Sequence, residues 1–413
     1  MNRWVEPGGR FRAWPLYALC FLAAAAQGML LPVLALLLER QGLSAAANGL
    51  HATFLYAGIL VAAPLSERLV RRWGYRPVLA AGGGLMAGTL FFYPLWASPA
   101  LWMALRFLSG VGAEILHYAA HLWLTIRAPA DKRGRIVSLY GMAYGLGFGV
   151  GPLALPLLSL GEWVPFGVAA VLLVAALAAV WTNPPERPPS VTERRAERSL
   201  SLYARTWRLA YLALLPPALF GWMEATLTSL FPVYGARVGL AEAWISFSLS
   251  AFTVSSLVLQ LPLAMAGDRW GRARLLPLLI AAGAFLFFLM PVAGRGVPLL
   301  VTMAVAGALV GSIYTLGLAY AADLLPKSLL PTANALGSIG FSVASIAGPN
   351  LGGLAMSHLH PSALFWVIGV PFAGYVALAW WSHGGRRARR MSDPRLSFAL
   401  KGVREHDSSH SCP

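Results

Sequence analysis

The chain has 413 residues, of which 58% are hydrophobic and only 12% charged, with a formal net charge of +16. A soluble domain carries about a quarter charged residues, so a mean hydropathy of +0.64 excludes a water-soluble core and makes lipid the solvent. A basic excess in such a chain belongs to cytoplasmic loops, so no nucleic-acid partner is expected.

Apolar runs long enough to cross a bilayer, about 17–25 residues each, can be placed twelve times. The first, at 14–38, follows Arg3, Arg10 and Arg12. It is far longer than the roughly 7–15 apolar residues of a signal peptide and reads as a retained helix. The others are expected at 47–66, 77–97, 100–126, 136–158, 163–182, 209–235, 243–265, 275–294, 297–323, 331–356 and 361–382. If the N-terminus is cytoplasmic, 28 of the 32 Lys and Arg fall in inside segments. Only Arg40, Arg237 and Arg295 fall outside, and Arg106 lies within a span. This asymmetry predicts a multi-pass protein of the inner (plasma) membrane with both termini cytoplasmic.

Two inside segments are long. The connector 183–208 opens NPPERPPS and continues with a charged stretch suited to the membrane surface. It separates an N-terminal six-helix bundle, 1–182, from a C-terminal one, 209–383. The basic tail 384–413 is expected to be disordered; a metal site at its His and Cys residues is the less favoured reading, and no metal or cofactor is expected. Cys20 and Cys412 give no disulfide framework.

The two halves read as repeats. Arg72-Trp73-Gly74 recurs as Arg269-Trp270-Gly271, and Gly151-Pro152 recurs as Gly348-Pro349, both at an offset of 197 residues. Two matches at one offset in corresponding places argue for an internal duplication.

Six-plus-six helices with short basic loops resemble the major facilitator superfamily over the whole chain except the tail. The most specific piece is the loop motif Gly-x-x-x-Asp-Arg-x-Gly-Arg/Lys. Asp268, Arg269, Gly271 and Arg272 match it, with Ala264 in the leading position. The resemblance implies a cytoplasmic latch there. In the N-half, Arg72, Gly74 and Arg76 match, but Glu67 replaces Gly and Arg71 replaces Asp. Either Glu67 substitutes for the acid as the i,i+4 partner of Arg71, or the loop is merely basic and sets orientation.

Arg106, Gly110 and Gly112 resemble the family's fourth-helix motif, whose Arg is associated with proton coupling. Gly147, Gly151 and Pro152 resemble the fifth-helix motif of proton-driven exporters, without its following glycine pair. Close helix packing at Gly110, Gly112, Gly147, Gly151, Pro152, Gly348 and Pro349 accounts for the same small residues. The segments RFLSGVGAEILHYAAH and RGRIVSLYGMAYGLGFG are similar to the bacterial YcaD-like branch.

The functional signal lies in the fourth span. Arg106, Gly110, Glu114, His117 and His121 recur at helical spacing along one stripe. Ionisable groups within a membrane helix are costly and usually face a protein interior or a water-filled cavity. Glu114 falls near the midplane, and Glu224 falls near the centre of the seventh span. The offset of 197 pairs Glu224 with Gln27 and His117 with Tyr314. The family resemblance implies that the first, fourth, seventh and tenth helices line a central cavity.

These residues suit proton coupling, with Glu114 as the proton site, Arg106 modulating it and His117 or His121 relaying protons. Gln27, Glu224, Trp222 and Tyr314 are the expected substrate-binding residues. The bland alternatives are a buried Arg106–Glu114 structural pair formed through an intervening group, and histidines, including His51, that bridge neighbouring helices.

The chain is thus expected to be an all-α membrane protein of major facilitator fold. Its expected activity is proton-coupled export of a small-molecule substrate by a monomer in a lipid bilayer. An importer is the nearest rival. A membrane-embedded enzyme or sensor is disfavoured, since no nucleotide motif or nucleophile–base arrangement is visible.

Overall fold

A computed structural model describes residues 11–129, 131–188 and 200–391. Among these residues there are thirteen α-helices, and ten helical segments are long and apolar enough to cross a membrane. The helices are α1 (Trp14–Arg40), α2 (Ala45–Trp73), α3 (Tyr75–Phe92), α4 (Pro99–Arg127), α5 (Arg133–Val150), α6 (Val164–Val180) and α7 (Leu200–Arg237). The series continues with α8 (Glu242–Trp270), α9 (Arg272–Leu289), α10 (Val297–Val310), α11 (Ile313–Leu324), α12 (Leu330–His358) and α13 (Ala363–Met391). Helices satisfy their backbone groups internally, which hydrocarbon requires of any spanning segment. Large apolar side chains such as Val171, Val258, Leu261 and Phe285 stay exposed on the flanks, where lipid would cover them.

The structure sharpens four predicted boundaries. The fifth run is α-helical only to Val150 and continues as a 3-10 helix from Gly151 to Leu160, where Pro152 and Pro156 remove backbone donors. The tenth run is broken at Gly311–Ser312, which separates α10 from α11. The seventh begins nine residues earlier than its apolar run, at Leu200, and is kinked at Ala210. The twelfth runs on to Met391, into the predicted tail. In both of these cases helical hydrogen bonding outlasts the apolar pattern, so hydropathy alone places the ends too tightly. The remaining tail, 392–413, and connector residues 189–199 lie outside the described residues.

The offset of 197 residues recurs in three dimensions. α2 and α8, α3 and α9, and the C-terminal ends of α1 and α7 coincide at that shift. So do the 3-10 turns Tyr93–Leu95 and Met290–Val292. Packing repeats as well. A Cβ at Gly110 would collide with the Leu55 carbonyl, and one at Gly307 with the Phe252 carbonyl, both pairs being 197 apart. Gly151 approaches Ala25 as Gly348 approaches Trp222, again at the same shift. Repetition of contacts that allow no side chain is stronger evidence for duplication than two short strings.

The first set, α1–α6, meets the second, α7–α13, mainly at one end. There the Arg237 guanidinium forks onto both oxygens of Glu39, at 2.7 and 3.2 Å, and Arg40 pairs with Glu242. The backbone of α2 also touches α12, Gly49 against the Pro349 carbonyl and Gly353 against the Ala45 carbonyl. Asn350 donates to the Thr53 hydroxyl at 2.5 Å, and the Ser246 hydroxyl donates to the Pro152 carbonyl at 2.8 Å. This sealed end carries few cations. The opposite, basic end carries the Arg-rich segments 68–76, 127–135 and 268–274.

Candidate functional site

A cavity of about 430 Å³ lies between the two sets, within the usual range for small-molecule sites. Its floor is formed near the middle of three helices by Gln27 of α1, Ile59 of α2 and Glu114 of α4. His117, Tyr118 and His121 continue down α4, Tyr140 and Tyr144 face them from α5, and the second set supplies Tyr314, Ser338, Phe341 and Ser342. His121 and Ser338, nearest the basic end, are exposed, whereas Gln27 is buried. The cavity therefore opens toward the basic end and stops at the sealed one.

The ionisable stripe of α4 is divided by depth. Glu114, His117 and His121 line the cavity. Arg106, one end of the same stripe, is 1% exposed and packed away from it. Gly110 and Gly58 bring α4 and α2 into backbone contact, Gly110 at Leu55 and Gly58 at Phe107. That contact closes the stripe above Glu114. Arg106 interacts electrostatically with Tyr93, Tyr56 and His51, and none of its guanidinium nitrogens has a hydrogen-bond partner. Among the described residues, it forms no direct ion pair with Glu114.

His117 is held by a reciprocal pair of hydrogen bonds. The Tyr140 hydroxyl donates to the His117 carbonyl at 3.1 Å and lies 3.0 Å from His117 Nδ1. When the hydroxyl gives its one proton to the carbonyl, it accepts from Nδ1–H and leaves Nε2 as an acceptor in the neutral ring; when that proton goes to Nδ1, Nε2 carries the ring proton. His117 also packs edge-on against Tyr144, centroids 4.9 Å apart, and Tyr144 stacks on Phe148 at 6.2 Å. Across the cavity, Tyr314 and Phe341 meet edge to face at 5.9 Å, with Phe220 behind both.

Glu224 and Trp222 do not reach this cavity. Glu224, with Phe220, Thr228, Leu249 and Thr253, lines a separate pocket of about 30 Å³ between α7 and α8, room for about one water molecule. Its charge and that of Glu114 both act on Tyr144. The Trp222 indole donates to the Val367 carbonyl at 2.9 Å and so ties α7 to α13. Tyr118, Tyr140, Tyr144, Ser338, Phe341 and Ser342 escaped the sequence reading. The i,i+4 series Tyr140, Tyr144, Phe148 and the spacing of Ser338, Phe341, Ser342 were the available signals.

The basic-end loops are tied within each set. Arg272 pairs with Asp268 and, at 2.6 Å, with Asp323, joining α8, α9 and α11. Glu67 pairs with Arg71 within α2, while Arg72 and Arg269 are exposed. The N-half takes its acid from the connector: Glu186 accepts from Arg127 and from the Trp123 indole, each at 2.8 Å. In the C-half the cation, Arg272, instead opens α9 and its acid, Asp323, lies near the end of α11.

These features meet their counterparts in known proteins. A model of the Major Facilitator Superfamily matches residues 16–251 and 218–399. The chain belongs to the major facilitator superfamily. The uncharacterised MFS-type transporter YfkF of Bacillus subtilis is 36% identical over 362 residues, covering 87% of this chain and 92% of that one. The uncharacterised MFS-type transporter YcaD of Escherichia fergusonii is 25% identical over 359 residues, covering 84% and 88%. Crystal structures of the nucleoside transporter NupG share the fold. A point mutant superposes with a TM-score of 0.73 at 16% identity, covering 90% of this chain and 98% of that one, and another structure gives 0.70. This major facilitator protein is a multi-pass membrane transporter and not an enzyme.

Proposed function

We propose that this transporter exports a small organic molecule in exchange for protons by alternating access, with Glu114 as the proton site. The observation that carries the reading is the arrangement around Glu114. A carboxyl at mid-helix stands at the floor of a cavity shared by both sets, and ion pairs between the sets close the far side. Positive-inside logic makes the basic end cytoplasmic, so the cavity faces the cytoplasm of a cell whose plasma membrane holds the protein. Glu114 releases its proton to that side and recovers one after the seal opens and the basic end closes. His117, held by Tyr140, and His121 carry the proton between Glu114 and the mouth. Glu224, in its separate pocket between α7 and α8, is a second proton site. The sets 1–182 and 209–383 move as the two bodies of a monomer, joined by the connector 183–208.

Arg106 acts from behind the α2–α4 contact, through Tyr56 and Tyr93, as a structural cation of the sealed side. Purified protein in vesicles with a pH-sensitive dye inside tests the reading. Substrate-dependent proton movement is expected in wild type and lost in Glu114→Gln. Equal flux in both removes Glu114 from the coupling, and flux of substrate and proton in the same direction replaces export with import.

A further inference from the structure

Resting on this transport reading, we infer that the cavity is built for a protonated amine bearing an apolar body, a monovalent organic cation with N–H donors. Glu114 is the one carboxyl in its lining, and no Lys or Arg joins it. The single arginine of the spans is 1% exposed behind the α2–α4 contact. With the two lining histidines neutral, an anion placed here would meet a carboxylate with no Lys or Arg to offset it, and a zwitterion would leave its own carboxylate unpaired; buried uncompensated charge is strongly disfavoured.

The hydrogen-bonding inventory points the same way. Besides Glu114, the wall holds two buried acceptors without a partner, Gln27 Oε1 and His117 Nε2. Where the Tyr140 hydroxyl donates to the His117 carbonyl, it accepts from Nδ1–H and leaves Nε2 to accept. Three acceptors in the lining of one cavity match in number the three donors of an ammonium group, and a trimethylated nitrogen would leave them unmet. Aromatic faces complete the site, Tyr144 with His117 on one wall and Tyr314 with Phe341 on the other. Such faces hold cations by their quadrupoles and apolar groups by burial.

Four congeners sharing one body separate the contributions: 4-phenylbutylamine, 4-phenylbutyltrimethylammonium, 4-phenylbutanol and 4-phenylbutyrate. Their dissociation constants are measured by calorimetry on purified protein at fixed pH. The expected order of affinity is amine, trimethylammonium, alcohol, acid, with at least tenfold between amine and alcohol. Glu114→Gln is expected to weaken the amine at least tenfold and move the alcohol less than twofold, whereas Glu114→Asp keeps the order. Size-exclusion profile and circular dichroism confirm that each variant is folded. Butyrate binding as tightly as the amine, an amine affinity indifferent to Glu114→Gln, or no binding of any congener at millimolar concentration overturns the inference. The two readings fail separately. Amine binding without proton flux defeats only the transport reading, and proton-coupled flux of an anion defeats only this one.

Discussion

The ion pairs of the sealed end set how often that end opens. Glu39 and Arg237 side chains are 17% and 25% exposed and share a forked contact. This places the pair at the top of the range for surface pairs, about 1 kcal/mol. Arg40 and Glu242, at 42% and 28% exposed, are better screened and contribute about 0.3 kcal/mol. Glu39→Arg removes the stronger pair and sets two guanidiniums against each other. A loss of about 1–2 kcal/mol raises the open-to-closed ratio roughly 5–30-fold. The assay is maleimide labelling of Thr53→Cys, which lies in the interface beside Asn350, in a background of Cys20→Ala and Cys412→Ser. Labelling is expected to rise by that factor in Glu39→Arg and to return toward wild type when Arg237→Glu is added. A rate unchanged within twofold, or a double variant as open as the single one, refutes the argument.

Other outcomes follow from the same geometry. Gly110→Ala drives a Cβ into the Leu55 carbonyl, so a loss of about 1–3 kcal/mol is expected from overpacking, read as a lower melting temperature by fluorescence-detected size exclusion. Trp222→Phe removes the bond to Val367 and costs about 1 kcal/mol; amine affinity stays within twofold, because Trp222 lies off the cavity. Tyr144→Ala removes an aromatic wall and weakens the amine about five- to tenfold, in line with about 1 kcal/mol for a cation over a ring, while Tyr144→Phe does not. For topology, a cysteine at Asp131 is expected to be blocked by an impermeant reagent only in inverted vesicles, and one at Gly239 only in intact cells.

The fold was legible because its determinants are local and redundant. Most spans are long enough to be read from hydropathy, the basic loops repeat the same charge asymmetry, and the Arg-Trp-Gly strings at an offset of 197 prove to be matching ends of α2 and α8. Site composition was legible only where a charge in an apolar run marks itself, as with Glu114, His117 and His121. Depth around the helix was not. Arg106 shares their stripe, but a backbone contact between α2 and α4 places it in another environment, and this contact depends on Leu55, far away in sequence. Glu224 lies outside the cavity although its offset partner Gln27 lines it, because the second set reaches the cavity through Tyr314 of α11 and Ser338, Phe341 and Ser342 of α12 and not through α7. The crossed ion pairs left a faint trace, because Arg40 and Arg237 are themselves 197 residues apart. Their partners Glu39 and Glu242 are not related by that shift.

The central claim is that Glu114 couples proton movement to substrate movement. Its most direct test is counterflow in vesicles of oriented protein, with 4-phenylbutylamine inside, a proton gradient imposed, and amine and internal pH followed together. Wild type is expected to release amine and take up protons in fixed ratio, and Glu114→Gln to do neither against a gradient. Amine movement in wild type that leaves internal pH unchanged, or a Glu114→Gln protein that still concentrates amine at the expense of the gradient, contradicts the account.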